Sequence, residues 1–139
     1  MRIAGAATTV RFMSAKLTAA EPQLFVTDMQ RACDFFTGKL GFTVAFLHGT
    51  PPFYGQVKRD GLGLNLRHVD APVIEPALRD REELLAASLV VDDVAALFAE
   101  YEAAGAPFFQ RLRVEPWGAR TFIVRDPDGN LLLFAGAAA

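Results

Sequence analysis

Few side chains in this sequence are of a type and spacing that could do chemistry. His48 and His68 are its two histidines, each expected at the end of a strand. A divalent ion needs at least three nitrogen, oxygen or sulfur ligands in compatible geometry. Neither histidine stands with Asp, Glu or Cys in a three-ligand pattern, so both read as ordinary strand-end residues. Cys33, the single cysteine, sits in a helical pattern beside Ala32 and just before Phe35 and Phe36. That is the place of a buried, inert thiol rather than of a nucleophile. No Ser or Cys stands beside a base in a nucleophile motif. Gly61-Leu62-Gly63 lacks the helix and lysine that follow a phosphate-binding loop, and reads as a turn. The remaining candidates are aromatic. Trp117, the only tryptophan, lies in a Pro116-Trp117-Gly118 loop, and Phe53 and Tyr54 follow Pro51-Pro52. A flat ring in a loop can stack on a planar ligand or pack against another subunit.

The elements that must position these residues come as a repeat. Leu24-Phe25-Val26-Thr27-Asp28-Met29 matches Leu89-Val90-Val91-Asp92-Asp93-Val94 at an offset of 65 residues. In each copy an apolar run ends at an Asp, a favoured helix N-cap because its carboxylate accepts the unpaired amides of the first turn. The spacing predicts helices over about 29–39 and 94–104, each ending before a glycine, Gly41 or Gly105, that suits a left-handed cap. The match resumes where Val57-Lys58-Arg59-Asp60-Gly61 pairs with Ile123-Val124-Arg125-Asp126-Pro127, at an offset of 66. That offset also sets Pro51, at the head of the Phe53–Tyr54 loop, against Trp117. Strands are predicted over 43–48, 53–59 and 64–68, then over 107–112, 121–125 and 131–135. Asp126-Pro127-Asp128-Gly129-Asn130 is a turn sequence, with Pro presetting φ and Gly taking the positive value. Both copies read β-α-β-β-β. The expected organisation is an N-terminal extension over residues 1–17, a first module over 18–70, a charged, proline-bearing linker over 71–83 and a second module over 84–139.

Composition narrows the function classes. Fourteen basic against sixteen acidic residues give a formal charge of −2 over 139 residues. That balance carries no electrostatic footprint for nucleic acid. No run approaches the length of a membrane span. Residues 1–15 lack the features of a secretory signal and read as an extension, with Met13 a plausible alternative start and a transit peptide the weaker reading. With a lone cysteine, the expected location is cytoplasmic. Phenylalanine is in excess, 12 residues against 1 Trp and 2 Tyr. Phe35, Phe36, Phe98 and Phe134 are expected in a helix–sheet core, Phe25 on the opposite face of its strand, and Phe53 against a ligand.

With these motifs in place the chain resembles the vicinal-oxygen-chelate superfamily, which includes glyoxalases, extradiol dioxygenases and bleomycin-resistance proteins. The resemblance rests on Pro22-Gln23-Leu24-Phe25-Val26-Thr27-Asp28, Phe35-Phe36, Leu40-Gly41-Phe42 and Val91-Asp92-Asp93-Val94. Glu115-Pro116-Trp117-Gly118 and Arg125-Asp126-Pro127-Asp128-Gly129-Asn130 add to it and point to the bleomycin-resistance branch. Phe36 stands where the family usually has Tyr. The resemblance implies an α+β fold in which two βαβββ modules form a curled, cup-shaped mixed sheet with helices outside. In the antibiotic-binding branch it further implies a homodimer with ligand crevices between subunits.

The resemblance also implies where a metal would sit: at the start of each module's first strand and on each module's last strand. Counted from the capping Asp residues and the turns, these positions are Glu21, Ala86, Arg67 and Leu133. One carboxylate facing Ala, Leu and a cation is not a metal site, so neither metal nor other cofactor is expected. Glu21 and Arg67 are expected either to pair where the metal would sit, or to leave Arg67 to grip an acidic group on a ligand. The leading expectation is a metal-free protein that sequesters a planar or amphipathic small molecule. Its expected lining is Phe53, Tyr54, Asn65, Arg67, Trp117 and Leu133, with no residue assigned to catalysis. Two alternatives stand beside it: a metal-dependent glyoxalase- or dioxygenase-like lyase, and a structural or regulatory dimer module whose cup is filled by its own side chains.

Overall fold

The computed structural model describes residues 13–137. Most of the expected N-terminal extension, residues 1–12, therefore lies outside the described residues. The element order is β1 (Gln23–Val26), α1 (Met29–Lys39), β2 (Thr43–His48), β3 (Tyr54–Arg59), β4 (Leu62–His68), α2 (Pro76–Glu82), β5 (Leu85–Val90), α3 (Val94–Ala103), β6 (Phe108–Val114), β7 (Arg120–Arg125) and β8 (Leu131–Gly136). The strands form two four-stranded mixed sheets of the same design, β1-β4-β3-β2 and β5-β8-β7-β6. In each the first strand runs parallel to the last and the other pairs are antiparallel. The fold is α+β, and the two sheets are not closed into one.

The capping residues act as their types dictate. Asp28 accepts from the amide of Arg31 at 3.0 Å and Asp93 from that of Ala96 at 3.0 Å. Gly41 and Gly105 follow the two helices at φ +74° and +75°, where a side chain would be strained. Alternation along the strands then separates the two faces of each sheet. Leu24, Val26, Val57, Leu64 and Leu66 point to the helix side, and so do Leu89, Phe122, Val124, Leu132 and Phe134. With Phe35, Phe36, Cys33 and Tyr101 they make one core that runs through both modules.

The linker departs from expectation. It is not all irregular: Glu75 caps α2 by accepting from the amide of Leu78 at 2.6 Å, and Pro76 opens the helix. Proline is tolerated at the first helical position because its missing amide would be unpaired there anyway. Arg79 of α2 is buried, and its Nη1 donates to the carbonyl of Asp128 at 3.2 Å. α2 thus straps the linker to the β7–β8 turn.

Candidate functional site

The helix-free face of the first sheet carries most of the expected lining. Gln23 lies level with Asn65 and Phe25 with Arg67 on β1 and β4. On β3, Tyr54 lies level with Arg67 and Gln56 with Asn65. These residues alternate with the core-facing Leu24, Leu64 and Leu66, so they share the surface away from α1. Two of them are polar and almost fully buried: Gln56 is 7% exposed and Asn65 4%. Gln56 Nε2 donates to Asn65 Oδ1 at 2.8 Å. Gly63 makes room for this pair, since a Cβ there would stand 2.9 Å from Gln56 Nε2 and 3.3 Å from Glu21 Oε2.

Rings edge this surface. Tyr54 lies 5.9 Å from Phe46 on β2, and Phe53 meets His48 edge-on at 5.4 Å. Gln23 Nε2 reaches Tyr54 Oη at 3.5 Å. Phe53 is 49% exposed and Phe46 43%. Sequence reasoning passed over Gln23, Phe46 and Gln56; the two-residue period from Tyr54 to Gln56 would have placed Gln56 on the lining face.

The second sheet presents its own set. Leu133 lies level with Ser88 and with Ile123, on the face away from α3. Thr121 and Ile123 are buried there, and Gln110 Nε2 donates to Thr121 Oγ1 at 3.0 Å. Trp117 is 74% exposed at the β6–β7 turn. The turn is held by Glu115, whose amide donates to the Ala119 carbonyl at 2.7 Å and whose carbonyl accepts from the Gly118 amide at 2.9 Å. Its carboxylate is bound by Arg113 Nε at 2.7 Å, which fixes the loop from below. Phe53, Tyr54, Asn65 and Arg67 therefore lie on one module, and Trp117 and Leu133 on the other. Among the described residues no hydrogen bond, ion pair or ring contact joins the two sets.

A model of the Glyoxalase/Bleomycin resistance protein/Dioxygenase superfamily matches residues 17–134. The chain belongs to that superfamily. Solved structures share its architecture. The bleomycin-binding protein of bleomycin-producing Streptomyces verticillus, solved with copper(II)-bleomycin, is 25% identical. That match covers 91% of this chain and 99% of the other, at a TM-score of 0.70. TioX from Micromonospora sp. ML1 is also 25% identical, over 86% of this chain and 98% of that one, at a TM-score of 0.66. The bleomycin resistance determinant encoded on transposon Tn5, 21% identical over 88% of this chain and 100% of its own, shares the fold at a TM-score of 0.70. No curated protein matches in sequence.

Superfamily membership raises the question of a metal, and the ladder register answers it residue by residue. Glu21 lies beside Gly63, four residues along β4 from Arg67, a separation of roughly 13 Å at strand rise. The expected Glu21–Arg67 pair is therefore not formed, and Arg67 instead lies level with Phe25. Counting from the turn misplaced this position because the turns of the two modules differ in length. The residue that faces Gln23 as Leu133 faces Ser88 is Asn65. The corrected set is Glu21, Asn65, Ala86 and Leu133. A single carboxylate and an amide already bonded to Gln56 do not fit a divalent ion. Among the described residues no group of three His, Cys, Asp or Glu side chains could hold one.

Proposed function

We propose that this chain is a metal-free small-molecule-binding member of its superfamily, which sequesters a planar or amphipathic ligand in an aromatic crevice. The carrying observation is the lining itself: Gln56 and Asn65 occupy the floor where a metal-using member needs anionic ligands, while Phe46, Phe53 and Tyr54 ring it. Exposed aromatic side chains along one sheet face favour stacking and burial of a flat molecule. Arg67 adds orientation. It is exposed and makes no ion pair among the described residues, so its planar fork is available to an acidic group on the ligand. Because Trp117 and Leu133 lie on the other sheet, the reading requires a homodimer, in which one copy's first sheet meets the other's second. The bleomycin-binding relative from Streptomyces verticillus supports sequestration of an antibiotic-like molecule, and hence a resistance role.

Two measurements test this. Elemental analysis of purified protein should find no stoichiometric Ni, Zn, Fe or Mn; a tightly bound equivalent would favour the lyase alternative and overturn the proposal. Titration with a planar aromatic carboxylate such as naphthoate should quench Trp117 fluorescence in the wild type. Arg67→Ala should weaken that binding about tenfold, the loss of one charge-assisted contact. A crevice filled by its own side chains would give no saturable quench with planar acids or planar bases, and that result would sink the proposal.

A further inference from the structure

The repeat creates two junctions at which one module's first strand meets the turn of the other. At one of them β1 meets the β7–β8 turn, and it is stapled shut. Asp128 Oδ1 accepts from Thr27 Oγ1 at 2.6 Å and from the Thr27 amide at 2.9 Å, and Asn130 Nδ2 donates to the Phe25 carbonyl at 3.0 Å. At the other, the end of β5 meets the β3–β4 turn. There the 65-residue offset puts Asp92 in place of Thr27, and the β3–β4 turn, with Arg59 level with Leu62, is too short to hold a counterpart of Asp128, whose turn runs from Arg125 to Leu131. A carboxylate facing a two-residue turn cannot make that staple. A cavity of about 480 Å³ stands between them, on the helix side of both sheets and away from the aromatic lining described above.

The cavity has a defined chemistry. Its floor is apolar, made by Phe42, Leu62, Leu89, Leu97, Tyr101 and Phe134. Its rim carries Asp60, Asp92, Asp93 and Glu100 against one cation, Arg59. Arg59 is already engaged: its two Nη atoms hold Glu100 at 2.6 and 3.0 Å, and its Nε lies 3.4 Å from Asp60. Asp93 is occupied in capping α3. Asp92 has no hydrogen bond or ion pair among the described residues. The rim therefore keeps an uncompensated negative field over an apolar floor of small-ligand size.

We propose that this cleft is a second binding site, for a lipophilic organic cation whose aromatic or aliphatic body fills the floor and whose ammonium group faces Asp60 and Asp92. The site is independent of the proposed crevice, because none of its lining residues is shared with it. A cation is preferred over any anion of equal shape, and binding weakens with salt because both carboxylates are exposed.

The test is calorimetric titration of the full chain at low ionic strength with 4-phenylbutyltrimethylammonium, and with 4-phenylbutanesulfonate as its anionic counterpart. The expected result is saturable binding of the cation at one equivalent per chain and none of the sulfonate. The double variant Asp60→Asn, Asp92→Asn should weaken the cation about tenfold. A second variant, Leu62→Arg, sets a cation on the lining of the cleft. It should abolish cation binding with the fold intact by circular dichroism and naphthoate quenching of Trp117 unchanged. Equal binding of the anion, indifference of the cation to both variants, or no cation binding to the wild type would overturn the proposal. So would a cleft covered by a second copy, read as dimer dissociation in Leu62→Arg.

Discussion

Asp126 closes the β7–β8 turn with both oxygens. Oδ1 accepts from the amides of Asp128 and Asn130 at 2.9 and 2.7 Å, and Oδ2 from Asn130 Nδ2 at 2.8 Å. Burial nevertheless outweighs these bonds and pushes its carboxyl up to about 6 from an ordinary 3.8. Between those values the folded chain holds a proton that the unfolded chain has released. The contribution of Asp126 to stability is thus fully present below about pH 4 and is lost as pH rises through about 6. The loss is at most roughly 3 kcal/mol, from 1.36 kcal/mol per pKa unit. Urea unfolding of wild type and Asp126→Asn at pH 4, 5, 6 and 7 should show a stability difference that moves against the wild type as pH rises. A difference constant over that range would contradict the assignment. The turn itself was legible from Asp-Pro-Asp-Gly-Asn, because turn chemistry is local. The perturbed carboxyl was not, because it depends on what the fold lays over the turn.

Helix ends were read correctly for the same local reason. Asp28 and Asp93 cap α1 and α3, and each helix stops two residues before a glycine at positive φ. Asp93→Ala should cost about 1 kcal/mol, the usual loss of a capping carboxylate. The measurement is the urea midpoint at constant slope. The same substitution removes one rim carboxylate from the cleft, so cation binding should fall alongside stability. α2 escaped detection because prolines and charges of the 71–83 stretch mask a short helix whose value is tertiary. Arg79 packs beneath Gly129, which has φ +87° and leaves no room for a side chain over the guanidinium. Register was the other element-scale error. Counting from the turns put Arg67 beside Glu21, whereas the parallel ladder puts Asn65 opposite Gln23.

The two modules form one cooperative molecule. Tyr101 of α3 donates to the Leu40 carbonyl at the end of α1 at 2.9 Å, and Lys39 Nζ donates to the Ala104 carbonyl at 3.0 Å. The core runs without a break from Leu24 and Phe36 to Phe122 and Phe134. Residues 18–70 made alone should therefore fail to fold, giving no cooperative thermal transition, because a fragment of that size exposes the half of the core that faces the second module. The sequence by itself determined the repeat, the caps, the burial of Cys33 and the core places of Phe35, Phe36 and Phe134, though not those of Phe42 and Phe122. Each of these follows from periodicity and from groups a few residues apart. Only the tertiary structure decided that the proposed aromatic lining is divided between two unclosed sheets and that one module junction is stapled and the other open. It also set Asn65 opposite Gln23 and Arg67 opposite Phe25. These depend on strand register and on contacts between residues about a hundred positions apart, such as Thr27 with Asp128, and no local pattern of side chains encodes such distances.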